Sequence, residues 1–377
     1  MRKAHAGWAD TLRHMSQAPI SFARGAPAPS LIPADELAEC AHAAALREGA
    51  SLFAYGPGGG YAPLREWVAE RHAVDTRRVV LTVGGLLGFA LYLEEALARR
   101  PGRVLVEAPC YDRPLKLLAR RGAEVVALPM DDEGLDLDAL ARELRRDSDP
   151  PSFLYTIPTF QNPSGRTLSA QRRRALAELA REHRLAVLED DPYGLVRFEG
   201  TAPPSLHELE GGERVTYTSS FSKTVAPGLR TGYFVLPEAE AAGFEERAVS
   251  TYISPPFLVQ AVIAEFIDGG RFEPNLERVR AELRARRDAM LETLERTFPA
   301  NAAWNRPEGG YFVWLVLDGA DTSELAARAA DVGVGIVRGS DFFPDGSSLG
   351  GSSARLAFSY ESPARIAEGV ERLAQLL

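Results

Sequence analysis

Cysteine is scarce in this chain of 377 residues, which carries only Cys40 and Cys110. Two thiols by themselves build neither a disulfide framework nor a zinc site. Positive charge is in deficit: 43 Lys and Arg face 52 Asp and Glu, and the net charge of −9 argues against general nucleic-acid binding. No stretch reaches the ~18 uninterrupted apolar residues of a membrane span. The opening Met1-Arg2-Lys3-Ala4-His5 leads into no apolar core, since Asp10 and Arg13 interrupt the residues after it, so it does not read as a signal segment. Internal repeats and low-complexity tracts are absent as well. The expectation is a cytoplasmic protein with neither a membrane nor a nucleic acid as partner. The remainder is ordinary: 45% hydrophobic and 25% charged residues suit a globular protein with a sizeable core. Length alone suggests about two or three domains, although large α/β folds often exceed that prior.

Between about Val79 and Val235 short apolar runs alternate with helical patterns, which predicts an α/β sheet that is mostly parallel. The strand candidates are Val79–Thr82, Arg103–Val106, Glu124–Leu128, Phe153–Ile157, Ala186–Leu188 and Val215–Ser219. Several are apolar on both faces, as strands covered from two sides should be. Leu86 to Arg99 is apolar nearly all round and is expected to be buried. Leu168 to His183 turns Leu176 and Leu179 inward and puts Arg172, Arg173 and Arg174 on a solvated face. Leu276 to Phe298 has the composition of a partly exposed helix bridging two domains. Gly310–Leu317, Gly335–Arg338 and Ala354–Ser359 read as strands of a smaller α+β domain, closed by a helix from Pro363 to Leu377. The first 35 or so residues are Pro-rich and irregular.

The most informative segment is Ser220-Phe221-Ser222-Lys223-Thr224-Val225-Ala226-Pro227-Gly228-Leu229-Arg230, just past a strand-like run. A lysine amine forms a Schiff base with an aldehyde, and reacts when it is desolvated or held near other cations. Ser220, Ser222 and Arg230 are the donors a phosphate needs. A carbonyl-reactive amine beside a phosphate cup points to pyridoxal 5′-phosphate (PLP). Read blandly, the same residues are a surface Lys and Arg flanking a turn.

Other chemical groups fall repeatedly just after predicted strands, where open α/β sheets bind their ligands. Asn162 lies in Gln161-Asn162-Pro163-Ser164-Gly165, which is also an ordinary turn sequence. Glu189-Asp190-Asp191-Pro192-Tyr193 is a run of three acids; a metal reading would need further ligands, and no histidine cluster accompanies it. PLP chemistry needs one carboxylate on the pyridine nitrogen, and Asp190 and Asp191 compete for that role. Tyr111, in Pro109-Cys110-Tyr111, can lie against a cofactor ring or be a packed core tyrosine. Cys110 has no histidine near it in sequence and is not read as a nucleophile. Gly84-Gly85-Leu86 joins a strand to a helix whose N-terminal N–H groups suit a phosphate. The glycines of Tyr55-Gly56-Pro57-Gly58-Gly59-Gly60 lack the Lys-Ser/Thr ending and preceding strand of a nucleotide loop. Arg355, in Ala354-Arg355-Leu356-Ala357-Phe358-Ser359, carries the fork that grips a carboxylate.

Taken together these segments resemble the fold-type I PLP-dependent aminotransferases of class I/II, in the subgroup of 2-aminoadipate and kynurenine aminotransferases and MocR-type regulators. The resemblance runs from Ile20-Ser21-Phe22-Ala23 to Ala354–Ser359, and includes Pro307-Glu308-Gly309-Gly310-Tyr311-Phe312 and Gly339-Ser340-Asp341-Phe342-Phe343-Pro344. It implies a mostly parallel seven-stranded sheet sandwiched by helices in a large domain, 36–272, and a smaller α+β domain made of 1–35 and 273–377. It implies that Lys223 holds PLP as an internal aldimine and acts as general base. The Asp-x-x-Tyr spacing gives the ring nitrogen to Asp190 and the phenolate oxygen to Tyr193 beside Asn162. It gives the ring stack to Tyr111, the phosphate to Ser220, Ser222, Arg230 and the 84–86 turn, and the α-carboxylate to Arg355 with Asn162 and Gly25. Relatives usually read Gly-Ser-Gln where this chain has Gly84-Gly85-Leu86, so two side-chain donors are gone and backbone donors remain. Tyr55 would reach the phosphate of a second subunit in a homodimer.

Arg24 stands where relatives commonly have glycine and is expected to read an acidic side chain or narrow the pocket. Trp8 lines a pocket or simply packs. MocR regulators carry such a domain behind a DNA-binding part; the resemblance here begins almost at once, so the expectation is the aminotransferase part without that DNA-binding half. The activity implied is amino transfer between an L-amino acid and a 2-oxo acid. A lyase, racemase, decarboxylase or oxidase on the same fold, or a PLP-binding sensor, is the alternative.

Overall fold

The computed structural model describes residues 19–146, 150–344 and 347–377; Trp8 lies outside them. Seven strands form the main sheet: β1 (Val79–Thr82), β2 (Val104–Ala108), β3 (Val125–Asp131), β4 (Phe153–Thr156), β5 (Val187–Asp190), β6 (Val215–Ser220) and β7 (Gly232–Val235). Their spatial order is β1-β7-β6-β5-β4-β2-β3, and the two-residue strand Gly134–Leu135 extends the β3 edge. β2 pairs parallel with β3 and β4, and β4, β5 and β6 follow in parallel. β7 runs against both β6 and β1 and is the one antiparallel member of the seven.

Strand side chains alternate between faces, and here the alternation feeds two different cores. Val104 and Val106 of β2 and Phe153 and Tyr155 of β4 join one hydrophobic cluster. Leu105 and Leu154 between them join another, with Leu176 and Ala180 of the helix Ala170–Glu182. Apolar residues are therefore needed at consecutive positions, which is why these strands read as unbroken runs.

The helix Gly85–Arg99 buries Phe89, Leu91, Tyr92, Leu93 and Ala96 as expected, whereas Leu86 is exposed because it stands at the helix N-terminus beside a cavity. A second sheet holds β8 (Ala302–Trp304), β9 (Phe312–Leu317), β10 (Val337–Arg338) and β11 (Ser353–Ala357), in the antiparallel order β8-β9-β11-β10. Ile20–Ser21 pairs in parallel with Val334–Gly335, and Phe22 O accepts from Ala357 N at 2.8 Å.

The long helix spans Phe272–Thr297, starting one turn earlier than its apolar pattern because Pro274 is tolerated in a first turn. Along it, Asn275 Nδ2 donates to Thr224 O (2.7 Å), Arg278 to Leu31 O (2.9 Å), Arg286 to Ser359 O (2.7 Å) and Arg287 to the Glu199 carboxylate (2.7 Å). It thus ties the lysine segment, the N-terminal strap and the small sheet into one frame. Among the described residues no helix is long and apolar enough to cross a membrane.

The three-arginine face predicted on Ala170–Glu182 needs correction. Arg173 is 1% exposed. Its guanidinium donates to Pro158 O (2.7 Å), Leu168 O (2.9 Å) and Thr159 Oγ1 (2.8 Å), and stands 3.7 Å from Glu189. Glu189 in turn accepts from the backbone N–H groups of Leu206 (3.0 Å) and His207 (2.9 Å). A helical wheel cannot reveal this, because the acceptors are two backbone carbonyls and a hydroxyl of the loop that precedes the helix. Arg173→Leu strands a buried carboxylate, and is expected to cost about 3–5 kcal/mol of stability, read as a lower denaturant midpoint.

Candidate active site

The carboxyl ends of β1, β2, β4, β5 and β6 converge on a cavity of about 340 Å³. It opens where the chain order of the sheet reverses, between β2 and β4, the place where such sheets bind ligands. Twelve residues singled out in the sequence line it: Gly25, Gly85, Leu86, Tyr111, Asn162, Asp190, Tyr193, Ser220, Ser222, Lys223, Arg230 and Arg355.

Lys223 sits three residues beyond β6 and is half-buried. Its Nζ donates to Gly25 O at 2.6 Å and lies over the rings of Tyr311 (5.3 Å) and Tyr193 (5.9 Å). Burial above all, then the positive charges of Arg355 and Arg230, pull its pKa from 10.5 to about 8, against the pull of Asp190. About a tenth of the amine is therefore neutral, and nucleophilic, at pH 7, far more than for an ordinary lysine.

Asp190 closes β5. Burial pushes its carboxyl up to about 7, helped by Asp191 and Glu107, while Tyr155 and Lys223 hold it down. Tyr155 Oη–H donates to Asp190 Oδ2 at 2.7 Å. Asp191 faces elsewhere: it accepts from Tyr217 Oη (3.1 Å) and from Gly194 N (2.8 Å), and it does not line the cavity.

Arg355 rises from β11 and is clamped between two aromatic faces, with its guanidinium carbon 4.5 Å from the Phe312 ring centre and 4.9 Å from that of Phe342. Its two terminal nitrogens donate to Asn162 Oδ1 (2.9 Å) and Ala23 O (2.8 Å). The fork is thus stacked and aimed, which is how an arginine is made ready for a carboxylate.

Arg230 holds a left-handed backbone (φ 46°) that turns its side chain back toward Gly84. Gly84, the N-cap of the helix Gly85–Arg99, has φ 79°, and a Cβ there would collide with the Arg230 guanidinium. Glycine is required on both counts. Gly84 lies behind the cavity lining and supplies the close approach of arginine and helix N-terminus. At Gly85 a Cβ would meet nothing within 4 Å, so no steric reason demands glycine there.

Two predicted residues stand apart. Arg24 is exposed, donates to Tyr360 Oη (2.9 Å) and stacks on that ring, outside the cavity lining. Tyr55 is 82% exposed and likewise does not line the cavity of its own chain. Conversely, sequence reasoning missed Tyr155, Phe312 and Phe342. The hydroxyl of Tyr155 in a buried strand was a usable signal, since a buried Tyr O–H seeks a partner; the partner's identity was not in the strand.

The donor set fits pyridoxal 5′-phosphate. A desolvated amine suits the aldehyde, a buried carboxylate the pyridinium, and Ser220, Ser222, Arg230 and the helix N-terminus the phosphate. Among the described residues no three His, Cys, Asp or Glu side chains gather as a metal site. Tyr155 supports this set from behind. Tyr155→Phe removes one hydrogen bond to a charged group and should weaken cofactor affinity by about tenfold or more, measured by equilibrium dialysis. It should also drive the Asp190 carboxyl further up.

The sequence profile described as "Aminotransferase class I and II" matches residues 30–373. The aromatic-amino-acid aminotransferase 1 of Thermococcus litoralis is 33% identical over 368 residues, 95% of this chain and 88% of that protein. The solved alpha-aminoadipate aminotransferase of Thermus thermophilus, complexed with N-(5′-phosphopyridoxyl)-L-leucine, superposes with a TM-score of 0.89 at 37% identity, covering 97% of this chain and 93% of that one. The Pyrococcus horikoshii kynurenine aminotransferase, solved with PMP, gives 0.89 at 33% identity, covering 100% and 94%.

Proposed function

Because the chain belongs to the class I and II aminotransferase family, and is a pyridoxal-5′-phosphate-dependent aminotransferase, we propose which of its residues carry each part of the transfer between an L-amino acid and a 2-oxo acid. The cofactor, when bound, supplies an aldehyde that accepts the amino group and a ring that draws electrons from the substrate α-carbon. Lys223 Nζ would hold that aldehyde, and its freed amine would move the α-proton as general base. Asp190 would face the ring nitrogen and favour its protonated form. Asn162 and Tyr193 would donate to the ring oxygen, and Tyr111 would cover the ring. Ser220, Ser222, Arg230 and the N–H groups from Gly85 anchor the phosphate. Arg355 exchanges its hold on Asn162 Oδ1 and Ala23 O for the α-carboxylate.

The observation that carries this reading is the convergence of Lys223, Asp190 and Arg355 on one cavity at the strand ends. The test is the visible spectrum of the purified protein with PLP and a panel of L-amino acids. A yellow band that bleaches with a donor and returns with a 2-oxo acid supports it. A protein that stays colourless with PLP overturns the assignment of Lys223.

The working unit we propose is a cytoplasmic homodimer, each chain divided into 36–272 and 1–35 with 273–377. Leu46, Phe53, Tyr55, Val249 and Ile253 are all exposed, and Gly58 packs on Val249, so the Tyr55 strap presents an apolar face that a second chain would cover. Tyr55 would then complete the partner's phosphate site.

A further inference from the structure

We propose that Glu107 and Gln161 form a clasp beneath the cavity that fixes Asn162 against the segment bearing Tyr111. Both are then positioning residues, an assignment that rests on the site roles proposed above. Neither lines the cavity. Glu107 is 2% exposed and Gln161 1%, and the proposed chemistry uses neither.

Glu107 stands near the end of β2, and Thr156 ends β4. These strands are parallel neighbours, and the chain order of the sheet reverses between them. Loops that leave adjacent strands at such a point part to opposite sides and open the crevice a ligand enters. The distance across the crevice must therefore be fixed by side chains. The Gln161 amide does this. Its Nε2 donates to Glu107 Oε2 (3.1 Å) and to Pro109 O (2.7 Å), while its Oε1 accepts from Ser164 N (2.8 Å). One side chain thus ties the loop after β2, which carries Tyr111, to the turn after β4, which carries Asn162.

The tie reaches Arg355 from two directions. Asn162 Oδ1 accepts from its guanidinium at 2.9 Å. Cys110 N, next to Pro109, donates to Phe342 O at 2.8 Å, and the Phe342 ring stacks on the same guanidinium. A change in the span of Gln161 moves both neighbours of that arginine.

The carboxylate of Glu107 is held by neutral donors: Thr156 Oγ1 (2.5 Å), Ile157 N (3.2 Å) and Gln161 Nε2. A buried carboxylate without an ion-pair partner costs stability, and an apolar residue of similar size would cost less. What a carboxylate adds is capacity to accept from several donors at once. Here those donors are the last residue of β4, the first residue after it and the side chain beside Asn162. Glu107 therefore fixes the turn at both its ends.

The test titrates the visible band of the PLP-loaded holoenzyme with pH. An Asn162 donor at the ring oxygen favours the ionised form of that oxygen, so displacing Asn162 raises the midpoint. Every charged or titratable group lining the cavity stays in place in the variants, with Lys223, Asp190, Tyr111, Tyr193 and Arg355 nearest the ring. Gln161→Leu should raise the midpoint by about one pH unit, the tenfold change that one hydrogen bond to a charged group supplies. Gln161→Asn, one methylene too short to span the clasp, should shift it the same way, and it serves as the test if the leucine variant does not fold. Thr156→Val strips a donor from Glu107 and leaves the clasp closed, so it should lower the melting temperature and leave the midpoint where it was. Glu107→Leu should shift the band as Gln161→Leu does, and the double variant should shift it little further, because either change opens the same clasp. A shift under about 0.3 unit in the Gln161 variants, an equal shift in Thr156→Val, or full additivity in the double variant overturns the assignment. If the wild type shows no band with PLP, the site roles proposed above fail instead, and that outcome is read from the wild type alone.

Discussion

Lys223→Ala is expected to give a folded protein that holds pyridoxal 5′-phosphate only non-covalently and transaminates at least about 10⁴-fold more slowly. Two losses combine, since one amine both anchors the aldehyde and moves the α-proton. The check is borohydride reduction followed by mass spectrometry, with single-turnover kinetics beside it. Wild type should gain the mass of a reduced cofactor and the variant should not; a labelled variant would move the anchor elsewhere.

The pH dependence has a definite sign. Below about 8 the buried amine is protonated and unreactive, so capture of PLP by apoprotein should quicken about tenfold per unit up to that pH and then level. The same depression bears on stability. The unfolded chain binds this proton up to about 10.5, so between the two values the unfolded state carries more protons and stability rises with pH. Lys223→Ala should therefore flatten that rise in a melting series on apoprotein.

How much of this was legible beforehand depends on the range of the interactions involved. Runs such as Val79–Thr82 and Phe153–Thr156 announce themselves, because both faces of the central sheet are covered and every strand position is buried. β7 was less visible. Gly232-Tyr233-Phe234-Val235 is short, comes soon after the lysine segment, and owes its strand state to pairing between β1 and β6.

The predicted residues that sit on strand ends come together at one cavity, since topology alone sends those ends to one place. Contacts made outside a residue's own element were not legible. Arg173 looked solvated because its carbonyl acceptors come from the 158–168 loop ahead of its helix. Arg24 was expected to read an acidic side chain or narrow the pocket, and it donates to Tyr360, 336 positions away. Phe342 matters only because the 339–342 turn folds beneath Arg355.

Asp190→Asn is the second large expected effect, and it separates charge from shape. The amide has the size of the carboxylate, so the strand end should keep its packing and Tyr155 can still donate to its oxygen. What changes is the face turned to the ring. A carboxylate favours a protonated ring nitrogen, raising its pKa by roughly 1–3 units as an adjacent opposite charge does. An amide N–H donates to the nitrogen lone pair and favours the neutral ring, so the sign of the bias inverts.

Turnover should fall by about 10²–10⁴-fold with little change in KM, because Arg355 still holds the α-carboxylate and Lys223 still anchors the cofactor. Reconstitution with N-methylated PLP, whose ring carries a fixed positive charge, should restore much of the lost rate in Asp190→Asn. A loss under about tenfold, or a greater loss in Asp191→Asn, would remove Asp190 from the ring nitrogen. Asp191 is held by Tyr217 and Gly194 outside the cavity, so its amide variant should lose stability before it loses rate. The two neighbouring aspartates thus differ in kind: one faces the reaction, and the other holds the turn that aims it.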